Sequence, residues 1–171
     1  MVSAGPTARF SLIDHNGRRV TQADYAGRYL LVYFGFTHCR IVCPRSLGKL
    51  SSVLDHLGPR AEAITALYVT VDPARDTPDV MKRHLESFPH FTGLSGSEEE
   101  ITAAKAAFRV FAERKADPED PDGYAVPHTA IAYLMGPDGG YRDHFTDALD
   151  EASVASRIIA AISQEEQSSH G

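Results

Sequence analysis

Residues 29–47, which read YLLVYFGFTHCRIVCPRSL, constrain the fold of this chain more than any other stretch. The stretch begins with a nearly continuous apolar run that is long enough for one buried strand and too short to cross a membrane. The only two cysteines of the chain, Cys39 and Cys43, follow that run. Pro44 comes next, and apolar residues then recur at helical spacing until a Gly-Pro pair ends the pattern. The sequence therefore predicts two thiols at the point where a central strand passes into a helix.

This position favours reactive thiols over inert ones. The N-terminus of a helix carries partial positive charge and unpaired N–H groups, which stabilise a thiolate. Side chains four residues apart on a helix lie about 5–6 Å from each other. Cys39 and Cys43 could therefore form a disulfide or bind one soft metal ion together. A pair of buried core cysteines without a chemical role is the third interpretation.

The composition narrows the class of protein. A chain of 171 residues with 43% hydrophobic residues is expected to form a single domain, residues 1–171, with an ordered core over about residues 8–163. The formal net charge of −6 argues against a nucleic-acid-binding surface. The first residues, MVSAGPT, have neither the basic start nor the apolar core of a signal peptide.

The other predicted elements indicate an α/β fold. An Asn-Gly turn between two short strand-like runs predicts an N-terminal β-hairpin ahead of the cysteine stretch. The elements predicted after that stretch are strands over residues 64–71, 91–95, 129–135 and 141–145, and helices that begin near Asp76, Ser97 and Asp150. This order of elements predicts a three-layer sandwich of thioredoxin type, with the cysteines at the end of a central strand.

Two more side chains are candidates for the site in such a fold. Asp72 follows a predicted strand at the sheet edge where open α/β proteins keep their sites. It is expected either to support the cysteines or to form a turn together with Arg75. In thioredoxin folds, the residues just ahead of the last hairpin face the cysteine turn, and His128 lies there. Its imidazole is a possible third metal ligand, but position alone allows a histidine that is only hydrogen-bonded to backbone.

Four segments of the chain resemble the Sco family (synthesis of cytochrome oxidase, also called SenC) of copper proteins: FGFTHCRIVCPRSL, VDPARDTP, GLSGS and HTAIAYLMGPDGG. The resemblance runs from about Phe10 to Ile162. It implies a thioredoxin-like fold that binds one copper ion per chain, as Cu(I) or Cu(II). The ligands that it implies are Cys39, Cys43 and His128.

The resemblance also implies a function and a location. Family members deliver copper to the binuclear copper site of cytochrome c oxidase, or keep that site reduced. The implied partners are therefore the copper-receiving subunit of the oxidase or another copper chaperone, and no nucleic acid. Family domains are usually held by one N-terminal membrane helix, and we expect that this anchor is missing from the sequence. We also expect a monomeric soluble domain at the periplasmic face of the bacterial cytoplasmic membrane.

Two positions depart from the usual family pattern. The residues between the cysteines are Arg40-Ile41-Val42, where the family usually has Pro-Asp-Val, and Pro127 stands where many relatives have Asp. Cu(I) bound to two thiolates has a net charge of −1, so the guanidinium of Arg40 is expected to stabilise that form. His38 adjoins the first cysteine and is expected to influence thiolate formation from outside the ligand set, because adjacent residues at a strand end point apart.

Three functions are compatible with these residues. A copper metallochaperone, rather than an enzyme, is the favoured interpretation. The alternative is a thiol–disulfide oxidoreductase, in which Cys39 or Cys43 attacks a partner disulfide and the other thiol resolves it. Redox proteins of this fold mostly use Cys-x-x-Cys with a Pro where this chain has His128. A peroxidase of peroxiredoxin type is disfavoured, because Arg40 stands where such enzymes need Thr or Ser, three residues before the attacking cysteine.

Overall fold

The structure, a computed structural model, describes residues 6–37, 42–110, 115–116, 124–125, 131–146 and 148–169. Its strands are β1 (Ser11–Asp14), β2 (Arg19–Thr21), β3 (Tyr29–Gly35), β4 (Ile64–Thr70), β5 (Phe91–Ser95), β6 (Lys115–Ala116), β7 (Tyr124–Ala125), β8 (Ile131–Met135) and β9 (Tyr141–Thr146). Its α-helices are α1 (Val42–Leu57), α2 (Pro78–His84), α3 (Glu98–Phe108) and α4 (Glu151–Ser169). Within the described residues, one seven-stranded sheet has the order β2-β1-β5-β4-β3-β8-β9, and β6 pairs with β7 separately.

Helices cover both faces of the large sheet, as the predicted three-layer sandwich requires. On one face, Leu50 of α1, Met81 of α2 and Ile158 of α4 pack in a buried cluster with side chains of β3 and β4. On the other face, Ile101 of α3 belongs to a second buried cluster. Because β3 lies between the two clusters, all seven of its residues are buried. The thioredoxin-like α/β fold is confirmed.

The first cluster depends on the spacing of apolar residues along α1. The residues of this helix that reach the core are Leu47, Leu50, Val53, Leu54 and Leu57. Since they recur three and four positions apart, they form one stripe along the helix and bury it against the sheet. The helix ends just before Gly58, whose φ of 57° is in the left-handed region that terminates helices.

The N-terminal hairpin and the last helix differ in part from the expectation. The hairpin of β1 and β2 is present, and it extends the large sheet because Ile13 pairs with Ser95 of β5. The last helix continues to Ser169, past residue 163, where we expected the ordered core to end. Gln and Glu are good helix formers, and residues 164–167 read QEEQ. The short β6–β7 pair was not predicted, and the acidic segment 117–123 lies outside the described residues.

Strand pairing determines what meets at each edge of the sheet. Strands β3 and β4 run parallel, with Gly35 opposite Thr70. Strand β8 runs antiparallel to β3, with Ala132 opposite Tyr33. The carboxyl end of β3 and the amino end of β8 therefore lie at the same edge. Among the described residues, no helix combines the length and the apolar character needed to cross a membrane.

Candidate metal centre

The predicted passage from a central strand into a cysteine-bearing helix is present. Strand β3 ends at Gly35, α1 begins at Val42, and the backbone of Cys43 lies in the first turn of that helix. The sequence therefore predicted this local structure correctly. The predicted site residues that lie outside the described residues are His38, Cys39, Arg40 and His128.

Asp72 lies in the loop that follows β4 and is almost completely buried. Its carboxylate forms an ion pair with Arg75, and the side chains of the two residues are 0% and 9% exposed. The carbonyl oxygen of Asp72 accepts the backbone N–H groups of Arg75 at 3.2 Å and Asp76 at 2.9 Å. The predicted turn of Asp72 and Arg75 is therefore confirmed. A supporting role of Asp72 towards the cysteines stays a prediction.

A second buried carboxylate, that of Asp76, connects three strand ends. It accepts the backbone N–H of Thr37 at 3.0 Å and the hydroxyl of the same residue. It also accepts the hydroxyl of Thr70 at 2.7 Å. The hydroxyl of Ser95 donates to the backbone carbonyl of Asp76 at 2.7 Å. These four residues, here called the Asp76 cluster, join the carboxyl ends of β3, β4 and β5.

The electrostatics of the Asp76 cluster follow from its burial. Asp76 is 0% exposed, and removal from water raises the pKa of its carboxyl above the usual range. The hydrogen bonds from Thr37 and Thr70 act in the opposite direction, because they stabilise the charged form. The nearby negative charge of Asp72 raises the pKa further. The carboxyl group therefore stays buried only because hydroxyl and N–H donors surround it.

Sequence reasoning assigned Asp76 to the cap of a helix and missed its contacts. The residue that caps α2 is Thr77, whose hydroxyl accepts the N–H of Val80 at 3.4 Å. An acidic residue directly before an N-cap, in a loop that follows a buried strand, is the only local signal that could have indicated a buried role. The contact with Thr37 depends on the pairing of β3 with β4, which a local pattern does not contain.

The described residues alone do not complete a metal site. Within those ranges, no group of three or more His, Cys, Asp or Glu side chains could hold a metal ion. A cavity of about 20 Å³ lies beneath α1, lined by Tyr33, Ser46 and Ala132 among others. A space of that size holds about one water molecule. The cavity is thus too small for an organic ligand.

Comparison with known proteins identifies relatives of the whole fold. The SCO1/SenC family model matches residues 4–163. The human mitochondrial protein SCO1 homolog is 40% identical over 152 residues, which are 87% of this chain and 50% of that protein. The zebrafish (Danio rerio) mitochondrial protein SCO2 homolog is 41% identical over 153 residues, 87% of this chain and 54% of that protein. The chain thus spans about half the length of these curated relatives.

Among solved structures, Bradyrhizobium japonicum ScoI with copper bound is 39% identical, with a TM-score of 0.82. The comparison covers 92% of this chain and 99% of that structure. Both the sequence and the fold match, along nearly the whole chain. The chain therefore belongs to the SCO1/SenC family.

Proposed function

We propose that this protein is a copper metallochaperone that serves the assembly of cytochrome c oxidase, with Cys39, Cys43 and His128 as ligands of one copper ion. The observation that carries the proposal is membership of the SCO1/SenC family over residues 4–163, with a copper-bound relative at 39% identity. The donor set fits that ion. Two thiolates and one imidazole suit Cu(I), and Cu(II) with a water or carboxylate added. Structural zinc usually takes four protein ligands, commonly Cys or His, and the chain has two cysteines.

The described backbone is compatible with convergence of these ligands. The chain leaves β3 towards Cys39 at the sheet edge where β8 begins, and β8 starts three residues after His128. The first turn of α1 contains Cys43, so the positive end of the helix dipole favours a thiolate there. These features support a site in which residues distant in sequence bind one ion.

The proposed function requires that the protein bind copper and release it. Thiols must lose their protons when they bind the ion, and the helix N-terminus assists that loss. A site with three protein ligands leaves a coordination position for a donor of the receiving protein. The ion then passes by stepwise exchange of ligands, and the chaperone keeps its thiolates. The receiver that we propose is the copper-binding subunit of the oxidase or another copper chaperone.

An anaerobic Cu(I) titration of the reduced protein tests the proposal. We expect binding of one ion per chain, weakened in each of the variants Cys39→Ser, Cys43→Ser and His128→Ala. His56→Ala is the matched control, because His56 is an exposed histidine whose ring contacts only the Ser52 carbonyl among its described hydrogen-bond partners. Binding that is unaffected by His128→Ala, or lost equally in the control, would contradict the ligand set.

Thiol–disulfide exchange is the second candidate function. Cys43 in the first turn of α1 favours it, because the positive end of the helix dipole stabilises a thiolate, which is the attacking form in thiol–disulfide exchange. The two functions differ in their need for the imidazole. An oxidoreductase should retain its exchange rate with glutathione disulfide in the His128→Ala variant, whereas a metallochaperone should lose copper affinity there.

The site is further proposed to favour Cu(I) because of Arg40. The guanidinium compensates the net negative charge of Cu(I) bound to two thiolates and does less for Cu(II). Arg40→Asp should therefore shift the preference towards Cu(II), which the Cu(II)/Cu(I) potential of the loaded protein measures. An unchanged potential would remove this part of the proposal.

The cellular location is also a proposal. We infer that the domain works at the periplasmic face of a bacterial cytoplasmic membrane. The mitochondrial names of the curated relatives support a site next to a respiratory membrane. Fractionation of cells that express the full-length gene product, with the domain detected by antibody, would test the location.

A further inference from the structure

The Asp76 side chain contacts Thr37, which is the last described residue of the segment that leads from β3 to the cysteines. Backbone pairing of β3 with β4 ends when the N–H of Val71 donates to the carbonyl of Gly35 at 2.8 Å. Beyond that bond, Thr37 donates both its N–H and its hydroxyl to the Asp76 carboxylate. Thr37 is two residues before Cys39. The carboxylate thus holds the chain where it leaves the strand pairing.

The other contacts of Asp76 attach it to buried parts of the sheet. Thr70 donates its hydroxyl to the carboxylate at 2.7 Å, and the same hydroxyl oxygen accepts the N–H of Asp72 at 2.9 Å. Ser95 donates to the backbone carbonyl of Asp76 at 2.7 Å. Thr70, Asp76 and Ser95 are each at most 3% exposed. Since these partners belong to β4 and β5, Thr37 is tied to the rigid part of the fold.

Helix capping does not explain why a carboxylate occupies this position. Thr77 already caps α2, and desolvation of Asp76 acts against its charged form. An apolar residue at position 76 would leave the N–H of Thr37 and the hydroxyl of Thr70 without this acceptor. The arrangement is accounted for if the carboxylate is needed to hold Thr37.

We propose that Asp76 is a positioning residue for the segment that carries the cysteines: by accepting two hydrogen bonds from Thr37, it fixes the direction in which the chain leaves β3 and hence the relative position of Cys39 and Cys43. Where copper is concerned, this inference rests on the proposed function. The effect on the two thiols themselves does not depend on any metal.

Two variants of Asp76 separate positioning from charge. Asp76→Asn retains the size of the side chain, and its amide oxygen can accept from Thr37 N–H and Thr70 while its NH₂ donates to the Thr37 hydroxyl oxygen. Asp76→Ala removes all of these contacts. Asp79→Ala is the matched control for charge, because Asp79 is an exposed carboxylate in the same segment. Ile101→Ala is the control for stability, because this buried residue lies on the opposite face of the sheet.

Two measurements are made on each purified variant. The first is the equilibrium constant for disulfide formation between Cys39 and Cys43 in glutathione buffers, without metal. The second is the Cu(I) dissociation constant of the reduced protein. Asp76→Ala should change both by about 10- to 100-fold, the usual effect of removing a residue that orients ligands. Asp76→Asn should stay within about threefold of the wild type, as should both controls.

The outcomes distinguish this inference from the proposed function. If Asp76→Ala gives wild-type values in both measurements, or if Ile101→Ala gives the same shifts as Asp76→Ala, Asp76 has only a structural role and the inference is wrong. If copper binding does not depend on the proposed ligands, the proposed function fails, and the disulfide constant still tests Asp76. Should Asp76→Ala not fold, Thr37→Ala replaces it, because loss of one hydroxyl contact should shift the disulfide constant in the same direction by a smaller factor.

Discussion

The parallel pair of β3 and β4 is tied by a polar side chain at both ends, and the two ties differ in burial. At the carboxyl end, the buried carboxylate of Asp76 joins Thr37 to Thr70. At the amino end, the exposed guanidinium of Arg28 donates to the Thr65 hydroxyl at 2.6 Å and to the Glu62 carbonyl at 2.6 Å. Each contact joins a residue that flanks β3 to a residue of β4, and the two differ most clearly in burial.

The difference in burial indicates which end of the β3–β4 pair is held more rigidly. Water can replace the Arg28 contacts if that side chain moves, because the guanidinium is exposed and its partners are exposed or partly exposed. Water is excluded from Asp76, so its partners must be satisfied within the protein. The amino end also borders an open cavity of about 260 Å³, lined in part by Arg28, Leu30 and Pro137. The end that leads to the cysteines is thus the more constrained one.

The largest effect is expected for Asp76→Ala. Loss of the carboxylate leaves the N–H of Thr37 and the hydroxyl of Thr70 without their acceptor in a buried place, so the free energy of unfolding should fall by about 3 kcal/mol. Urea denaturation followed by circular dichroism measures this change. A loss below about 1 kcal/mol would mean that water reaches the cluster, and the contrast between the two ends would disappear.

The next effect is a pH dependence that Asp76→Asn should remove. Because the folded pKa of Asp76 lies above the ordinary aspartate value of 3.8, its contribution to stability is fully present below pH 3.8 and is lost as the pH rises through the folded pKa. Asp76→Asn does not titrate, so its stability relative to wild type should rise over that window. The rise should be about 1.4 kcal/mol for each pKa unit of elevation, measured by denaturation between pH 3.5 and 8. If the unfolding free energies of wild type and Asp76→Asn change in parallel with pH, the carboxyl group of Asp76 has an ordinary pKa.

A smaller pH effect of opposite sign is expected from His15 in the β1–β2 turn. The N–H of Gly93 donates to its Nδ1 at 3.0 Å, which requires a neutral ring. Burial lowers the pKa of His15 and the charge of Lys82 adds to this, although Asp14 acts against it. Its contribution is therefore present above pH 6.5 and lost as the pH falls towards the folded pKa. His15→Gln should reduce this loss of stability at low pH by less than about 1 kcal/mol, because the ring is only partly buried and solvent weakens its interactions.

The smallest effect is expected for Arg28→Ala. Its hydrogen-bond partners are exposed or partly exposed, so water takes the place of the guanidinium, and the free energy of unfolding should fall by about 0.5 kcal/mol or less. The same urea titration as for Asp76→Ala gives the comparison directly. A loss as large as that of Asp76→Ala would show that burial is not what distinguishes the two ends.

Local patterns predicted the elements of this fold well, because each element carries its own signal. The apolar run of β3 and the apolar stripe of α1 are complete within their own residues. The helix start predicted near Ser97 is present, and Ser97 forms a capping box with Glu100 at the start of α3. The extension of α4 was missed because its last residues lack an apolar stripe, although their helix propensity is high.

The candidate site could be predicted only in part from the sequence. The strand-to-helix position of Cys43 follows from adjacent residues, so it was read correctly. The role of Asp76 was not, because its partner Thr37 follows β3, 39 residues earlier in the chain. Whether a carboxylate is buried depends on which strands become neighbours, and the periodicity of the sequence does not predict strand pairing.

The central place of β3 has a consequence for how this protein is made. Its neighbour on one side is β4, which follows soon in the chain, but its neighbour on the other side is β8, which begins only at Ile131. In a nascent chain that has not yet reached that residue, β3 is an edge strand of seven uncharged residues. Its unpaired backbone groups can then pair with another chain. The chain is therefore prone to aggregation until its last quarter has been synthesised, and truncations before β8 should accumulate as insoluble protein.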